Sequence, residues 1–265
     1  MSALERHNVT VHGRLDGRPM MFAHGFGCDQ GMWRHVWPAF ADEHRIVLFD
    51  HVGYGGSDPS AFDRRRHASL DGYVADVLAI CDELDLRDVV FVGHSVSAMI
   101  GVLAAAARPE RFGRLVLVAP SPRYLDDERY DGGFSEEDIA GLLESLESNY
   151  LGWSSAMAPV IMGNADRPEL GEELTNSFCR TDPQIAAAFA RATFLGDNRD
   201  DLERVRTPSL VLQCSDDVIA PLAVGQYVHE HLPDSSFVLL AATGHCPNLS
   251  APEETVAAIR EFLAG

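Results

Sequence analysis

Val90-Phe91-Val92-Gly93-His94-Ser95-Val96-Ser97-Ala98-Met99-Ile100-Gly101 decides the reading of this chain. Its first half is an apolar run of strand type that stops at Gly93. Its second half opens a run of small residues of helix type that continues to residue 107. Ser95 therefore sits on a very tight strand-to-helix turn, the setting in which a G-x-S-x-G nucleophile elbow has chemical meaning. Such a turn forces the serine into an uncommon backbone conformation, so the positions two before and two after it need small side chains. Gly93 supplies one, and Ser97 stands where the pattern has its second glycine.

Working outward, short apolar strands alternate with helical segments. Upstream, residues 9–11 read as a short edge strand and residues 19–23 as an apolar strand running into His24-Gly25-Phe26-Gly27. An amphipathic helix is expected over 32–40, with Trp33 and Trp37. Residues 45–49 form a continuous apolar strand of the kind buried on both faces of a parallel sheet. It ends in a glycine-rich loop from Asp50 to Asp58, and residues 70–84 have helical period. Downstream of the elbow lies a strand at 115–119. Past Pro120 only helical periodicity is present, with helices expected at 135–150, 154–162, 169–179 and 183–194. Ser135 is suited to cap the first of them, with acidic residues in its opening turn. Strand pattern returns at 209–213 and 237–241 around a helix near 223–231, and residues 252–263 form a closing helix. This alternation predicts an α/β fold with a mostly parallel sheet. The core would comprise residues 1–120 and 198–265, with residues 121–197 inserted as an all-helical lid.

Composition narrows the function. At 265 residues, roughly 70–75% of the unfolded chain's surface can be buried on folding. The net charge of −19 argues against nucleic acid and anionic membrane surfaces, both of which need clustered positive charge. All 21 basic residues are arginine. Without lysine there is no Schiff-base chemistry, no Walker lysine and no S-x-x-K pair. Five scattered cysteines with no C-x-x-C read as reduced thiols, and no apolar run approaches a membrane span. Residues 1–10 lack the apolar segment of a signal peptide, so a cytoplasmic protein is expected. No cofactor or metal is expected. Neither glycine-rich loop completes a dinucleotide fingerprint, and there is no H-E-x-x-H.

A serine hydroxyl is a weak nucleophile until a base takes its proton, and the base needs a carboxylate behind it. In parallel α/β sheets, active groups lie in loops beyond the carboxyl ends of strands. Two further loops of this kind carry suitable side chains: Cys214-Ser215-Asp216-Asp217-Val218-Ile219-Ala220-Pro221 and Ala242-Thr243-Gly244-His245-Cys246-Pro247. The order Ser95, Asp217, His245 is that of one known triad arrangement. Asp217 is chosen over Asp216, which then faces solvent or helps to shape the turn. A helix N-cap is an alternative role for Asp217, and a capped loop histidine an alternative for His245. Backbone N–H groups of Val96 and Phe26 are the expected oxyanion donors.

With these residues in place, the chain resembles the α/β-hydrolase superfamily along nearly its whole length. More narrowly, it is similar to the branch holding the bacterial stress-response regulator RsbQ and the plant strigolactone and karrikin receptors. The stretches that carry the resemblance are His24 to Gln30, Asp50-His51-Val52-Gly53, the elbow itself, Ser121 to Leu125, Gly132-Gly133-Phe134, Ser148-Asn149-Tyr150 with Trp153, and Gly244-His245. In that branch Ser97 is an accepted variant of the second elbow glycine. The resemblance implies a four-helix lid over a closed apolar pocket. Carried over by position, that pocket would be lined by Phe26, Tyr124, Phe134, Trp153, Phe189, Phe194 and Ile219, with Val96 near the serine. It implies slow hydrolysis of small apolar esters or butenolide-type lactones. It also implies a second reading: a ligand-gated signalling protein that acts on a partner, such as a phosphatase, with hydrolysis incidental. A third reading keeps the triad and changes the chemistry to carbon–carbon hydrolysis or cyanohydrin cleavage.

Overall fold

The computed structural model describes residues 1–265. Seven strands form one sheet: β1 (Thr10–Gly13), β2 (Arg18–Ala23), β3 (His44–Leu48), β4 (Val89–His94), β5 (Phe112–Val118), β6 (Ser209–Asp216) and β7 (Ser235–Thr243). Their spatial order is β1-β3-β2-β4-β5-β6-β7. Only β1 runs antiparallel to its neighbour; β2 to β7 are parallel. The helices are α1 (Ala3–Arg6), α2 (Leu70–Glu83), α3 (Val96–Ala107), α4 (Glu136–Ser148), α5 (Tyr150–Met162), α6 (Pro168–Phe178), α7 (Pro183–Phe194), α8 (Arg199–Leu202), α9 (Leu222–His231), α10 (Pro247–Ser250) and α11 (Pro252–Ala264). None is long and apolar enough to cross a membrane.

Side chains alternate across a strand, and in the central strands both faces are buried, whereas the edge strands β1 and β7 are partly exposed. Met20, Phe22, Val90 and Val92 point into one cluster, which continues into α4, α5 and α6 through Leu143, Trp153 and Leu174. Met21, Ala23 and Phe91 point into the other, with α2, α3 and part of α7. The strand order turns back on itself at β2 and β4, which pair directly, and Ala23 lies opposite Gly93. The loops after these two strands therefore leave the sheet side by side. The same level is reached on the other side, where Asp216 of β6 pairs with Thr243 of β7.

Two expectations from sequence need correction. The helix over 32–40 is instead two single 3-10 turns, Gln30–Trp33 and Trp37–Phe40. Pro38 lacks an N–H, and in an α-helix its ring would collide with the carbonyl four residues earlier. The expected helix over 135–150 ends at Ser148. Asn149 leaves helical geometry at φ −151° and ψ 74°, and its side chain accepts from Gly152 N–H. That makes it an N-cap, so the next helix begins at Tyr150, before the expected residue 154.

Beneath the site, α2 is held by a buried carboxylate. Asp76 accepts from His67 Nε2 at 3.0 Å, meets His7 Nε2 at 3.5 Å and pairs with Arg66. Burial alone would raise the Asp76 carboxyl, but His67, His7 and Arg66 bring it well below its ordinary value. Removing one partner of a buried ion pair leaves uncompensated charge. Asp76→Asn is therefore expected to lose about 3 kcal/mol in urea unfolding at neutral pH. A depressed carboxyl stabilises the fold above its unfolded pKa, and that contribution disappears as pH falls through the folded value. The gap between wild type and variant should accordingly begin to narrow below about pH 4 and close only as pH passes the depressed folded value.

Candidate active site

Ser95 lies between the last residue of β4 and the first of α3, with φ 57° and ψ −124°. A positive φ in a residue with a Cβ is strained by roughly 1–3 kcal/mol and persists only where neighbours hold it. Those neighbours are identifiable. Ser95 N–H donates to Val118 O at 2.8 Å, and Ser95 O accepts from Ala98 N–H at 2.9 Å. A Cβ on Gly93 would overlap the Ser97 carbonyl, which explains the glycine two residues before the serine. The position two residues after tolerates a side chain because that side chain is bonded. Ser97 Oγ donates to His24 O at 2.5 Å and lies 2.7 Å from His51 Nε2. A hydroxyl has one proton, so His51 Nε2–H is the donor of that pair. Ser97 thus ties the elbow helix to the His24 loop after β2.

Three side chains from three strand ends meet beside the elbow. His245 Nε2 lies 2.7 Å from Ser95 Oγ. On the other side of the ring, His245 Nδ1 lies 2.7 Å from Asp217 Oδ2. The second oxygen of Asp217 accepts from Ile219 N–H at 2.8 Å and Ala220 N–H at 3.1 Å. With Asp217 ionised, His245 Nδ1–H donates to it, and Nε2 is left to accept from the Ser95 hydroxyl. Burial pushes the Asp217 carboxyl up, but His245 and the two backbone donors bring it net below its usual range. Asp216 is exposed; its contribution is a carbonyl that accepts from Gly244 N–H at 2.7 Å.

His94, which sequence reasoning did not single out, supports this arrangement. Its Nε2–H donates to the His245 carbonyl at 2.7 Å. Burial, and then the neighbouring His245, push the His94 imidazole down to about 3, so it is a neutral prop at physiological pH. Its other nitrogen packs against the backbone of Gly25, where a Cβ would collide with the ring and come within 3.4 Å of Ser95 Cβ. Gly25 therefore lets the His24–Gly27 loop lie directly against the serine. Val96 is the first residue of α3, so its N–H has no intrahelical acceptor. Phe26 N–H, in the adjacent loop, has no backbone acceptor either.

A cavity of about 30 Å³ opens on Ser95 and His245. Its mostly apolar lining includes Phe26, Tyr124, Trp153, Phe194 and Ile219, together with Cys28, His94, Ile161, Leu174, Phe178, Thr193 and Cys246. Trp153 and Phe178 stack nearly parallel with ring centres 5.7 Å apart, and both meet Phe26 edge-on. Two residues expected in the lining lie elsewhere. Phe189 is fully buried one layer deeper, stacked on Tyr73 at 4.3 Å and touching Phe26 from below. Phe134 is half-buried and packs on Tyr124, with ring centres 6.4 Å apart. Both belong to the aromatic layers that support the cavity wall. Leu174 and Phe178 were missed because an apolar residue on an amphipathic helix carries no sign of which cluster it will join.

Comparison with known proteins agrees with this fold. Residues 20–259 match the model of the alpha/beta hydrolase family. Among similar curated proteins, strigolactone esterase D14 of Arabidopsis thaliana is 41% identical over 261 residues, covering 98% of this chain and 97% of the relative. Karrikin insensitive 2 receptor CA of Petunia hybrida is 40% identical over 253 residues, covering 95% and 93%. Among solved structures, a hydrolase from Oleispira antarctica superposes with a TM-score of 0.96 at 38% identity, covering 99% of this chain and 96% of that one. The chain belongs to the alpha/beta hydrolase family, in the branch that holds the strigolactone and karrikin receptors.

Proposed function

We propose that this protein is a serine hydrolase that cleaves a small apolar ester or butenolide-type lactone, with Ser95 as nucleophile, His245 as base and Asp217 as its orienting carboxylate. The observation that carries the reading is the unbroken hydrogen-bonded chain Asp217–His245–Ser95, two links of 2.7 Å each, at the wall of an apolar cavity. Ser95 Oγ attacks the carbonyl carbon while His245 Nε2 takes its proton. Asp217 stabilises the imidazolium that forms. The carbonyl oxygen gains negative charge and is held by Phe26 and Val96 N–H. As the tetrahedral intermediate collapses, His245 returns the proton to the departing alkoxide, which in a lactone stays tethered as a new hydroxyl. Water then attacks the acyl-serine with His245 again as base, releasing the acid.

The cavity suggests the substrate class. A space of about 30 Å³ holds on the order of two waters. A bound ester must displace Trp153, Phe178 or Phe194, all on helices of the insert. Residues 121–197 therefore serve as a lid whose helices shift to admit ligand. The walls lack a cation to pair with a carboxylate, which favours neutral substrates. The receptors among the relatives support a small-molecule ligand, with a signalling partner as the finer reading. The assembled triad favours hydrolysis over binding alone. Five unpaired thiols suit a reducing compartment such as the cytoplasm.

Steady-state kinetics on p-nitrophenyl acetate test the assignment. Ser95→Ala is expected to lower kcat on the order of 10⁶-fold; a loss of only tenfold would remove Ser95 from the chemistry. Asp217→Asn should cost about 10⁴-fold, while Asp216→Asn should stay within about twofold, as expected for an exposed side chain. Equal losses in the two aspartate variants would contradict the assignment of the carboxylate.

A further inference from the structure

The end of α5 is bonded directly to the His245 loop. The last four carbonyls of a helix have no intrahelical partner and must find one elsewhere. In α5, Pro159 O and Val160 O are taken locally by Gly163 N–H, at 3.0 and 3.3 Å. The Ile161 carbonyl, by contrast, accepts from the backbone N–H of His245 itself, at 2.9 Å. Met162 O accepts from the side chain of Asn164 at 2.9 Å. The same Asn164 amide donates its other proton to Thr243 O, also at 2.9 Å, two residues before His245. Arg167 holds the Asn164 oxygen and also donates to Ser250 O at 2.8 Å, five residues after His245. The loop is thus held before, at and after the histidine by one segment, residues 161–167.

Backbone shape fits the same purpose. Gly163 and Asn164 have φ of 61° and 57°, a conformation that glycine adopts freely and asparagine tolerates better than other side chains. Gly163 faces Gly244, where a Cβ would overlap the Met162 carbonyl. Two chain segments therefore touch backbone to backbone, with Asn164 bonded to both.

We propose that Asn164 is a positioning residue, tying the end of α5 to the His245 loop so that the seating of this helix sets the place of the His245 imidazole. The inference rests on the hydrolase reading above. Trp153 of the same helix lines the cavity, so a ligand that pushes α5 outward also pulls on His245. Hydrolytic competence is then greatest when the helix is seated over a bound substrate.

Asn164→Gly removes the amide while keeping the positive φ accessible, and it is compared with wild type and Ser95→Ala on p-nitrophenyl acetate. The expected result is a kcat about tenfold lower with KM within about twofold, as for loss of an interaction that matters in the transition state. The acid limb of the pH profile should move to lower pH, because an imidazolium held less firmly against Asp217 is less stabilised. A kcat within twofold of wild type with an unmoved acid limb overturns the proposal. If Asn164→Gly does not fold, Asn164→Asp carries the same comparison, since it keeps the shape and turns the donor into an acceptor facing two carbonyls. The downfield proton resonance of His245 Nδ1–H reads the geometry without turnover. Should wild type show no Ser95-dependent hydrolysis, the hydrolase reading fails, and this resonance still decides the present one. Its loss or upfield move in the variant sustains the proposal, and an unchanged position overturns it.

Discussion

A single strained residue organises this structure. Ser95 is held at a positive φ between a buried strand and a buried helix. The constraint propagates in both directions. Before the serine, only glycine fits against the Ser97 carbonyl. After it, Ser97 anchors the His24 loop, and His94 presses on Gly25 of that loop and on the His245 carbonyl. The elbow is therefore the point where the loops after β2, β4 and β7 are bolted to one another.

That bolting leaves little room for water or for alternative charge states. His24, His51 and His94 surround the elbow, and burial holds each imidazole below its ordinary pKa. They act as neutral hydrogen-bonding struts with fixed tautomers. His245 differs from them because an ionised carboxylate lies against its far nitrogen. One histidine of the cluster is thereby set between a carboxylate and the Ser95 hydroxyl, while its neighbours hold position.

The helical insert has two roles in this arrangement. Its side chains fill the space above Ser95 so closely that the cavity is far smaller than an ordinary ligand pocket of several hundred Å³. Its backbone, at the end of α5, supplies a hydrogen-bond acceptor to His245. Enclosure and alignment therefore depend on the same helix. Parts of the insert are also tied to the core by exposed ion pairs, such as Arg34 with Glu173 and Arg180 with Asp29. Exposed pairs of this kind contribute little each; the apolar cluster that the insert shares with the sheet is what holds it in place.

Much of this was written in local sequence. Short apolar runs ending in glycine or a polar loop marked the parallel strands, because a strand buried on both faces must be apolar throughout. The positions of Ser95, Asp217 and His245 just beyond three such runs followed from topology, since parallel strands deliver their carboxyl ends to one edge. Tertiary structure decided what depends on contacts between distant segments. Asp217, not Asp216, turns inward, its carboxylate held by His245 and the N–H groups of Ile219 and Ala220. Phe189 went to the layer below the cavity, and Leu174 and Phe178 to its wall, according to how the helices of the insert rotate against the sheet. Residues 32–40 form no continuous helix because one proline outweighed the apolar period. The partnership of Asn164 with Thr243 spans 79 positions; no local pattern encodes it, because hydrogen bonds between loops are chosen only once packing has brought their backbones together.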